Sequence, residues 1–330
     1  MGAMDFVKSG MRTESTEVFT INLSSNSTLN DSRRDLESQH LKTDSRPRHS
    51  FWWTLIIDLP LFIIVLTLIG LFELNVIPSY KAGFFCRDPA LDYAFTGDTV
   101  TMKDLCFTIL LLPIPLLWIT EWIFSDEDML GLRAKQASFH CLRLLRVYLY
   151  GFFFNLCLVE AMKGIAGSPR PTFNAICRPD VWDTCKDSEY VTSFKCTSNF
   201  SVWFQNDASH SFPSGHTSLS VYCAVFLAWY LQRRAFCWSH RTLLLVPFMQ
   251  LVLLSLATLT SLTRITDHRH HWWDVLFGLG VGLATAYYAI AVLCDNFSRS
   301  SIYSNEPMRD HSKSPARTLI FEGRREDTTP

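Results

Sequence analysis

Long apolar runs alternate with polar segments along most of this chain. Six of the runs are long enough, or nearly so, to cross a bilayer, because a membrane-spanning helix needs about 20 residues. They lie near 52–74, 104–124, 143–163, 215–232, 242–262 and 275–294. The pattern predicts an all-α, polytopic membrane protein with six transmembrane helices.

The two ends of the chain have a different composition. Residues 1–50 and 296–330 are dominated by Ser, Thr, Asn, Asp, Arg and Lys, with hardly any apolar periodicity. Such segments bury too little apolar surface to fold on their own. We therefore expect two disordered tails on either side of a membrane domain that covers 51–295.

The overall composition fits a membrane protein. Hydrophobic residues make up 48% of the 330 residues and charged residues only 18%, and the many Trp side chains suit bilayer interfaces. The formal net charge is −1, which gives no reason to expect a nucleic acid as partner. Asp58, Asn155 and Glu160 fall inside the predicted spans, and we expect them to face the bundle interior because polar groups are costly in lipid.

Three short polar segments at the ends of predicted spans carry the candidate chemistry. They contain Lys163, Arg170, Pro171, Pro213, Ser214, Gly215, His216, Arg264, His270 and Asp274. If six helices cross in sequence, the loops that hold these segments lie on one face of the membrane. Together they predict a phosphate pocket with a nucleophile, since the set supplies cationic donors, two histidines and a carboxylate.

The first two segments suit an anion site. Lys163 and Arg170 flank a turn rich in Gly and Pro that can bend both cations toward one anion. Ser214 and Gly215 precede the fourth run, so their backbone N–H groups should point outward from a helix N-terminus. His216 could protonate a departing alkoxide there. The alternatives are cations that reach to lipid headgroups and an ordinary Ser N-cap.

The third segment supplies the candidate nucleophile. His270 and Asp274 are spaced i, i+4, so on a helix the carboxylate can hold one imidazole nitrogen and leave the other free to attack phosphorus. We expect Arg264 to act from the preceding loop. The pair could also be an interfacial His with an Asp partner. With His268 and His271 it could form a zinc or iron site, although the nearby cations would repel a dication.

Cysteines and a glycosylation sequon indicate which side of the membrane carries the motifs. Four cysteines fall in loops on the motif face: Cys86, Cys177, Cys185 and Cys196. They allow one or two disulfides in three connectivities, or four free thiols, and pairing would imply an extracellular or lumenal compartment. Asn199 begins a sequon in the same region, whereas the sequon at Asn296 lies on the opposite, cytosolic face.

The motifs resemble those of the type 2 phosphatidate phosphatase superfamily, which also includes vanadium haloperoxidases. The family pattern is Lys, six residues, Arg-Pro; then Pro-Ser-Gly-His; then Ser-Arg, five residues, His, three residues, Asp. The segments Lys163 to Pro171, Pro213 to His216 and Thr263 to Asp274 match it in order and spacing. Thr263 replaces the usual Ser and keeps a hydroxyl. The resemblance implies the helical core of that superfamily.

Two further segments, Gly83 to Asp88 and Asp267 to Trp272, look like the animal lipid phosphate phosphatases, a likeness that covers about 50–295. It implies a plasma membrane enzyme of phospholipid metabolism and sphingolipid signalling, with an extracellular or lumenal site and cytosolic termini. The implied substrates are phosphatidate, lysophosphatidate, sphingosine 1-phosphate and ceramide 1-phosphate, hydrolysed without a metal ion or other cofactor.

The resemblance also implies a role for each motif residue. His270 would form a phosphohistidine that Asp274 stabilises, and His216 would protonate the lipid alkoxide and then activate water. The groups implied to bind the phosphate oxygens are Lys163, Arg170, Ser214, Gly215 and Arg264. A non-catalytic scaffold or lipid-binding relative of the same fold is the main alternative, and a transporter is a third. The preferred lipid and the oligomeric state are not specified, and a homo-oligomer stays open.

Overall fold

The computed structural model describes residues 54–74, 76–125, 129–236 and 244–297. The predicted tail 1–50 and all but the first two residues of 296–330 lie outside the described residues. The described α-helices are α1 Leu59–Glu73, α2 Met102–Leu111, α3 Pro113–Ile123, α4 Leu130–Ala166, α5 Phe173–Cys177, α6 Val202–Asp207, α7 Gly215–Arg234, α8 Leu245–Thr266 and α9 Trp272–Tyr288.

Short elements extend or connect these helices. A π-helical turn, Thr54–Asp58, leads into α1, and a second one, Ala289–Leu293, continues α9. Turns of 3₁₀-helix occupy Pro89–Leu91 and Asp295–Phe297. Strand β1, Phe84–Phe85, pairs antiparallel with strand β2, Tyr190–Val191. The described chain is therefore mainly helical, as predicted.

Five helical segments of the described residues are long and apolar enough to cross a membrane. They are Ile56–Glu73, Met102–Ile123, Leu130–Ala166, Leu245–Thr266 and Trp272–Leu293. The second joins α2 to α3 at Pro113, which has no N–H to continue the hydrogen-bond ladder. These segments correspond to five of the six predicted spans in chain order.

The sixth predicted span corresponds to α7, which has the length of a span but a more polar composition. Its 20 residues extend about 30 Å, close to the thickness of a hydrocarbon core. Fourteen of these residues are buried, because α7 packs against α2, α3, α4, α8 and α9. A helix surrounded by protein need not be apolar, so α7 can carry hydroxyl side chains.

Close contacts between small residues hold α9 against α7. A Cβ atom at Gly278 would lie 2.5 Å from the carbonyl oxygen of Ser214, and one at Gly282 would lie 2.6 Å from that of Ser218. Glycines four residues apart allow two membrane helices to approach closely. The contact sets the first turn of α7 directly beside the first turn of α9.

The polar residues predicted to face the bundle interior divide into two groups. Asn155 is fully buried and donates to the Thr285 hydroxyl at 2.8 Å, which confirms the expectation. Glu160 is partly buried. Asp58 is exposed, so the expectation for it is wrong: it precedes the first residue of α1, at the end of the span, where a carboxylate can reach water.

An outer layer is formed by two segments, 83–100 and 168–212. Disulfides join Cys86 to Cys185 and Cys177 to Cys196. Its own small core contains Phe84, Leu91, Phe173, Ile176, Cys177 and Ala208. Asn199 is exposed in a bend of this layer, so its side chain is accessible. The layer covers the ends of α4, α7 and α8.

Candidate active site

The three predicted segments meet at one cavity of about 370 Å³. The last turn of α4, the first turn of α7 and the α8–α9 junction all contribute to its wall. The predicted site residues that line it are Lys163, Arg170, Gly215, His216 and His270. Ser214, Arg264 and Asp274 are buried behind this wall, so the structure brings the predicted set together in two layers.

Lys163 and Arg170 reach the cavity from either side of a sharp turn. Helix α4 ends at Ala166 and is capped by Gly167, whose φ of +56° favours glycine. A Cβ added at Gly167 would overlap the Tyr80 carbonyl. The Lys163 ammonium contacts Glu160 at 2.7 Å. Arg170 donates to the Asp207 carboxylate at 2.6 Å and to its backbone oxygen at 2.8 Å.

The two predicted backbone donors at the start of α7, Ser214 and Gly215, lie in different surroundings. Gly215 lines the cavity, and a Cβ there would lie 3.6 Å from the Lys163 ammonium. The Ser214 N–H donates to the backbone oxygen of Asp274 at 3.0 Å. The expectation that this N–H faces a phosphate is therefore wrong, because the close packing of α9 supplies it with a partner. Ser214 joins α7 to α9 instead.

His216 stands on the cavity wall beside the outer layer. Its Nε2 atom lies 3.2 Å from the carbonyl oxygen of Val100. A carbonyl can only accept, so this contact assigns the proton to Nε2. The ring is thereby fixed between α7 and the segment that precedes α2, at the edge of the cavity.

His270 precedes α9 and does not lie on it. The helix begins at Trp272, with His271 as its N-cap and Asp274 in its first turn, so the predicted i, i+4 stacking on a helix is wrong. The His270 Nδ1 atom lies 2.7 Å from the Ser211 carbonyl and 3.9 Å from the Asp274 carboxylate. Asp274 instead accepts from the Ser211 hydroxyl at 2.6 Å.

This arrangement leaves one nitrogen of His270 available for chemistry. With Nδ1–H donated to the Ser211 carbonyl, Nε2 carries no proton. Nε2 lies 3.5 Å from a terminal nitrogen of Arg170. Burial, followed by the charges of Arg170, His216 and Lys163, holds the pKa of His270 well below its usual value. The ring is neutral at pH 7, which is the form that a nucleophile requires.

Arg264 lies in the last turn of α8, not on the loop where it is expected. Its guanidinium contacts Asp98 at 3.0 Å and Asp267 at 2.9 Å. Two carboxylates therefore hold it behind the cavity wall. Its charge still acts on the site, since buried charges are screened less than exposed ones.

The histidines of the alternative metal site point in different directions. His268 stacks on Tyr93, with ring centroids 4.2 Å apart, and His271 stacks on Trp273 at 4.4 Å. Within the described ranges, no three His, Cys, Asp or Glu side chains are grouped as ligands of one metal ion.

Several side chains of the site fall outside the predicted set, and three of them are the charged residues Asp98, Asp207 and Arg269. Asp98 precedes α2 and Asp207 is the last residue of α6, and neither lies in a motif, whereas Arg269 directly precedes His270. Burial would raise the pKa of Asp207, but Arg170 and Arg269, helped by Lys163, bring it below its ordinary value. The position of Arg269 beside the candidate nucleophile is a signal that sequence reasoning could have used. Nothing in the sequence around Asp98 and Asp207 identifies them as residues of the site.

Comparison with known proteins identifies the family of this chain. The sequence model of the PAP2 superfamily matches residues 144–297. Phospholipid phosphatase 2 of Mus musculus is 33% identical over 236 residues, 71% of this chain and 81% of that protein. Phospholipid phosphatase 2 of Homo sapiens is 34% identical over 221 residues, 66% of this chain and 75% of that protein.

A more distant relative is a putative phosphatidate phosphatase of Drosophila melanogaster, 29% identical over 265 residues, 73% of this chain and 69% of that protein. No solved structure gives a significant match. The fold and these relatives define an integral membrane phosphatase that acts on lipids. The chain belongs to the PAP2 superfamily, within its lipid phosphate phosphatase branch.

Proposed function

We propose that this protein hydrolyses the phosphomonoesters of phosphatidate, lysophosphatidate, sphingosine 1-phosphate and ceramide 1-phosphate through a phosphohistidine intermediate, without a metal ion. The observation that carries the proposal is the unprotonated Nε2 of His270, which lies 3.5 Å from Arg170 in a cavity that Lys163 also lines. A nucleophile beside two cations suits a phosphate monoester, whose oxygens need charge-assisted donors.

The reaction follows from the positions of the two histidines. Nε2 of His270 attacks phosphorus, and the bond from phosphorus to the lipid oxygen breaks. His216 acts in its imidazolium form: it keeps Nε2–H toward the Val100 carbonyl and gives the proton on Nδ1 to the departing alkoxide. His216 then accepts a proton from a water molecule that attacks the phosphohistidine, and this second step releases phosphate. Asp274 acts through Ser211 and through its charge, which stabilises the positive ring of the intermediate.

The phosphate-binding groups fall into two sets under this proposal. Lys163, Arg170 and the N–H of Gly215 bind the oxygens directly, because they line the cavity. Arg264 contributes its positive charge from behind the cavity wall. Ser214 fixes the first turn of α7 through its hydrogen bond to Asp274. Catalysis by such a site is mainly positioning and electrostatic stabilisation.

We place the cavity on the extracellular or lumenal side of the plasma membrane, with both termini in the cytosol. The two disulfides of the outer layer support this orientation, since disulfides persist in oxidising compartments. The exposed sequon at Asn199 lies in the same layer. We propose glycosylation at Asn199 for that reason.

The first test measures phosphate release from phosphatidate in detergent micelles with excess EDTA. We expect activity to survive chelation in the unmodified protein and to disappear in His270→Ala, by a factor of about 10⁴ or more. His268→Ala is the matched control and should keep most of its activity, because His268 stacks on Tyr93 outside the cavity wall.

Each other outcome has a distinct meaning. Loss of activity with EDTA would contradict the metal-independent mechanism, and loss in His268→Ala but not in His270→Ala would overturn the assignment of the nucleophile. No release from any lipid phosphate would favour the scaffold or lipid-binding alternative. Movement of labelled lipid without phosphate release would favour a transporter.

A further inference from the structure

Arg269 is a buried cation at the active site that occupies an unspecified position of the third motif. Its side chain lines the cavity and directly precedes His270 in the chain. The guanidinium lies 5.3 Å from the ring centre of Phe95 and 5.2 Å from that of Phe204. Contacts with two aromatic rings, together with burial, hold the plane of an arginine in one orientation.

The edges of the same guanidinium contact two carboxylates. One terminal nitrogen lies 2.9 Å from Asp207, and the Nε atom lies 3.1 Å from Asp98. The charge of Arg269 persists at neutral pH: burial, followed by the charge of Arg170, lowers its pKa to about 10, against the opposing effect of the two aspartates. Arg269 therefore acts as a fixed positive group between two fixed negative groups.

Both carboxylates also hold an arginine of the proposed phosphate site. The other oxygen of Asp207 contacts Arg170 at 2.6 Å, and Asp98 contacts Arg264 at 3.0 Å. Charges thus alternate in the order Arg170, Asp207, Arg269, Asp98, Arg264. We call this row the arginine–aspartate chain. It runs from one predicted phosphate-binding segment to another, and its central residue stands at a position whose identity the third motif leaves open.

Charge balance explains why the central position matters. Each of the two aspartates is shared between Arg269 and one other arginine, so each neutralises only part of that arginine's charge. Without Arg269, Asp207 and Asp98 would act on Arg170 and Arg264 alone, and two partly buried carboxylates would lose a partner. The arginines would then offer less positive charge to an incoming phosphate and would be held in a different geometry.

We infer that Arg269 is a positioning residue of the phosphatase, which sets the geometry and charge of Arg170 and Arg264 through Asp207 and Asp98. This inference rests on the proposed function, because it assigns Arg269 a task in phosphate binding. It does not require Arg269 to touch the substrate. The backbone oxygen of Arg269 adds a further link, since Arg170 donates to it at 3.2 Å.

The test compares Arg269→Gln and Arg269→Lys with the unmodified full-length protein in detergent micelles. Arg87→Gln is the matched control, because Arg87 forms an ion pair with Asp187 in the outer layer at 2.9 Å but does not line the cavity. The readouts are kcat and KM for phosphatidate hydrolysis and the affinity for inorganic phosphate, measured by calorimetry without turnover.

We expect Arg269→Gln to lower kcat/KM by about 100-fold, the effect of a misplaced binding group, and to weaken inorganic phosphate binding by about 10-fold. Lysine keeps the charge but cannot contact two carboxylates with one rigid plane, so Arg269→Lys should recover part of both losses. Arg87→Gln should match the unmodified protein in every readout. Phe95→Leu, which leaves all charges in place, should produce a smaller loss of phosphate affinity.

Several results would overturn the inference. One is an Arg269→Gln protein that binds phosphate and turns over lipid like the unmodified chain. Another is a lower melting temperature with unchanged phosphate affinity, which would mean a purely structural role. If Arg269→Gln does not fold, Arg269→Lys and Phe95→Leu decide, and unchanged phosphate affinity in both overturns it. If the unmodified protein binds phosphate but hydrolyses no lipid, the proposed function fails, and the phosphate affinities still decide the role of Arg269.

Discussion

A single carbonyl group determines which nitrogen of His270 can react. The Ser211 oxygen lies 2.7 Å from Nδ1, and the Ser211 hydroxyl donates to Asp274 at 2.6 Å. The carboxylate therefore orients the imidazole through an intervening residue. This indirect contact fixes the tautomer that the proposed phosphorus nucleophile needs, while burial and then the cations around the ring lower its pKa and keep it neutral.

The neutral state of His270 has a consequence for stability at low pH. Its folded pKa is lowered, so below pH 6.5 the unfolded chain binds a proton that the folded protein does not. The folded protein should lose up to about 1.4 kcal/mol per pH unit from this group as pH falls below 6.5. His270→Gln removes that contribution and should therefore lose stability less steeply.

Melting temperatures of both proteins between pH 7.5 and 5.5 test this expectation. The difference between them should change in favour of His270→Gln as the pH falls. Curves that stay parallel over this range would contradict a neutral, buried His270.

The spacing of the motifs along the chain predicted five residues of the cavity wall. Lys163, Arg170 and His270 meet there because each follows or precedes a membrane helix on the same face. Spacing could not predict the partner of His270, since that partner is a backbone oxygen, which every residue possesses. It also could not reveal that the Ser214 N–H is already bonded, because the donor and acceptor lie on helices 60 residues apart in the chain.

The contact between α7 and α9 governs the site at the level of whole helices. Gly278 lies against the Ser214 carbonyl, one turn from Asp274. Any displacement of α9 would therefore move the Ser214 and Asp274 backbone groups, which are hydrogen-bonded to each other at 3.0 Å. The packing of two membrane helices is thus coupled to the geometry around His270.

Alanine substitutions at Gly278 and Gly280 should distinguish the effect of helix packing from the effect of helix propensity. A Cβ at Gly278 would lie 2.5 Å from the Ser214 oxygen, whereas a Cβ at Gly280 would meet no atom within 4 Å. Gly278→Ala should destabilise the protein by about 1–3 kcal/mol, as overpacking does, and should also lower kcat. The matched control, Gly280→Ala, should be neutral or stabilising by up to about 1 kcal/mol.

Thermal unfolding and phosphate release of the two variants distinguish an effect of helix packing from an effect of helix propensity. Equal effects of Gly278→Ala and Gly280→Ala would show that close packing of α9 on α7 determines neither the stability nor the activity.

Sequence reasoning predicted the positions of the long helices but not the polar character of α7. The apolar runs predicted where the helices lie. Composition could not show that α7 is the central helix, because Asn155 and Ser218 satisfy each other only after the bundle has formed: the Ser218 hydroxyl donates to Asn155 at 2.7 Å. Asp58 was misjudged for a related reason, since a polar residue at the end of a span needs no protein partner.

In the described helix bundle, the candidate site and the disulfide-linked outer layer lie at the same end. Asn199 is exposed at this end, and Asn296 is exposed beyond the opposite end of α9. The two sequons therefore report on opposite sides of the membrane. Only a sequon that enters the lumen of the secretory pathway can be glycosylated.

The proposed orientation predicts glycosylation at one of these sites. In protein produced in animal cells, Asn199→Gln should abolish the mobility shift that an endoglycosidase causes, and Asn296→Gln should leave it unchanged. Gel mobility with and without the enzyme is the measurement. A shift that depends on Asn296 would mean that the cavity faces the cytosol.

The Cys86–Cys185 bond also has a consequence for biosynthesis. The two cysteines are 99 residues apart, which at typical rates of synthesis corresponds to a delay of about 5–20 s. Throughout that time, Cys86 waits as a thiol while α2, α3 and α4 are made. Since His270 follows Cys185 by a further 85 residues, this covalent link beside the cavity can form before the ribosome has added the histidine that we propose as the nucleophile.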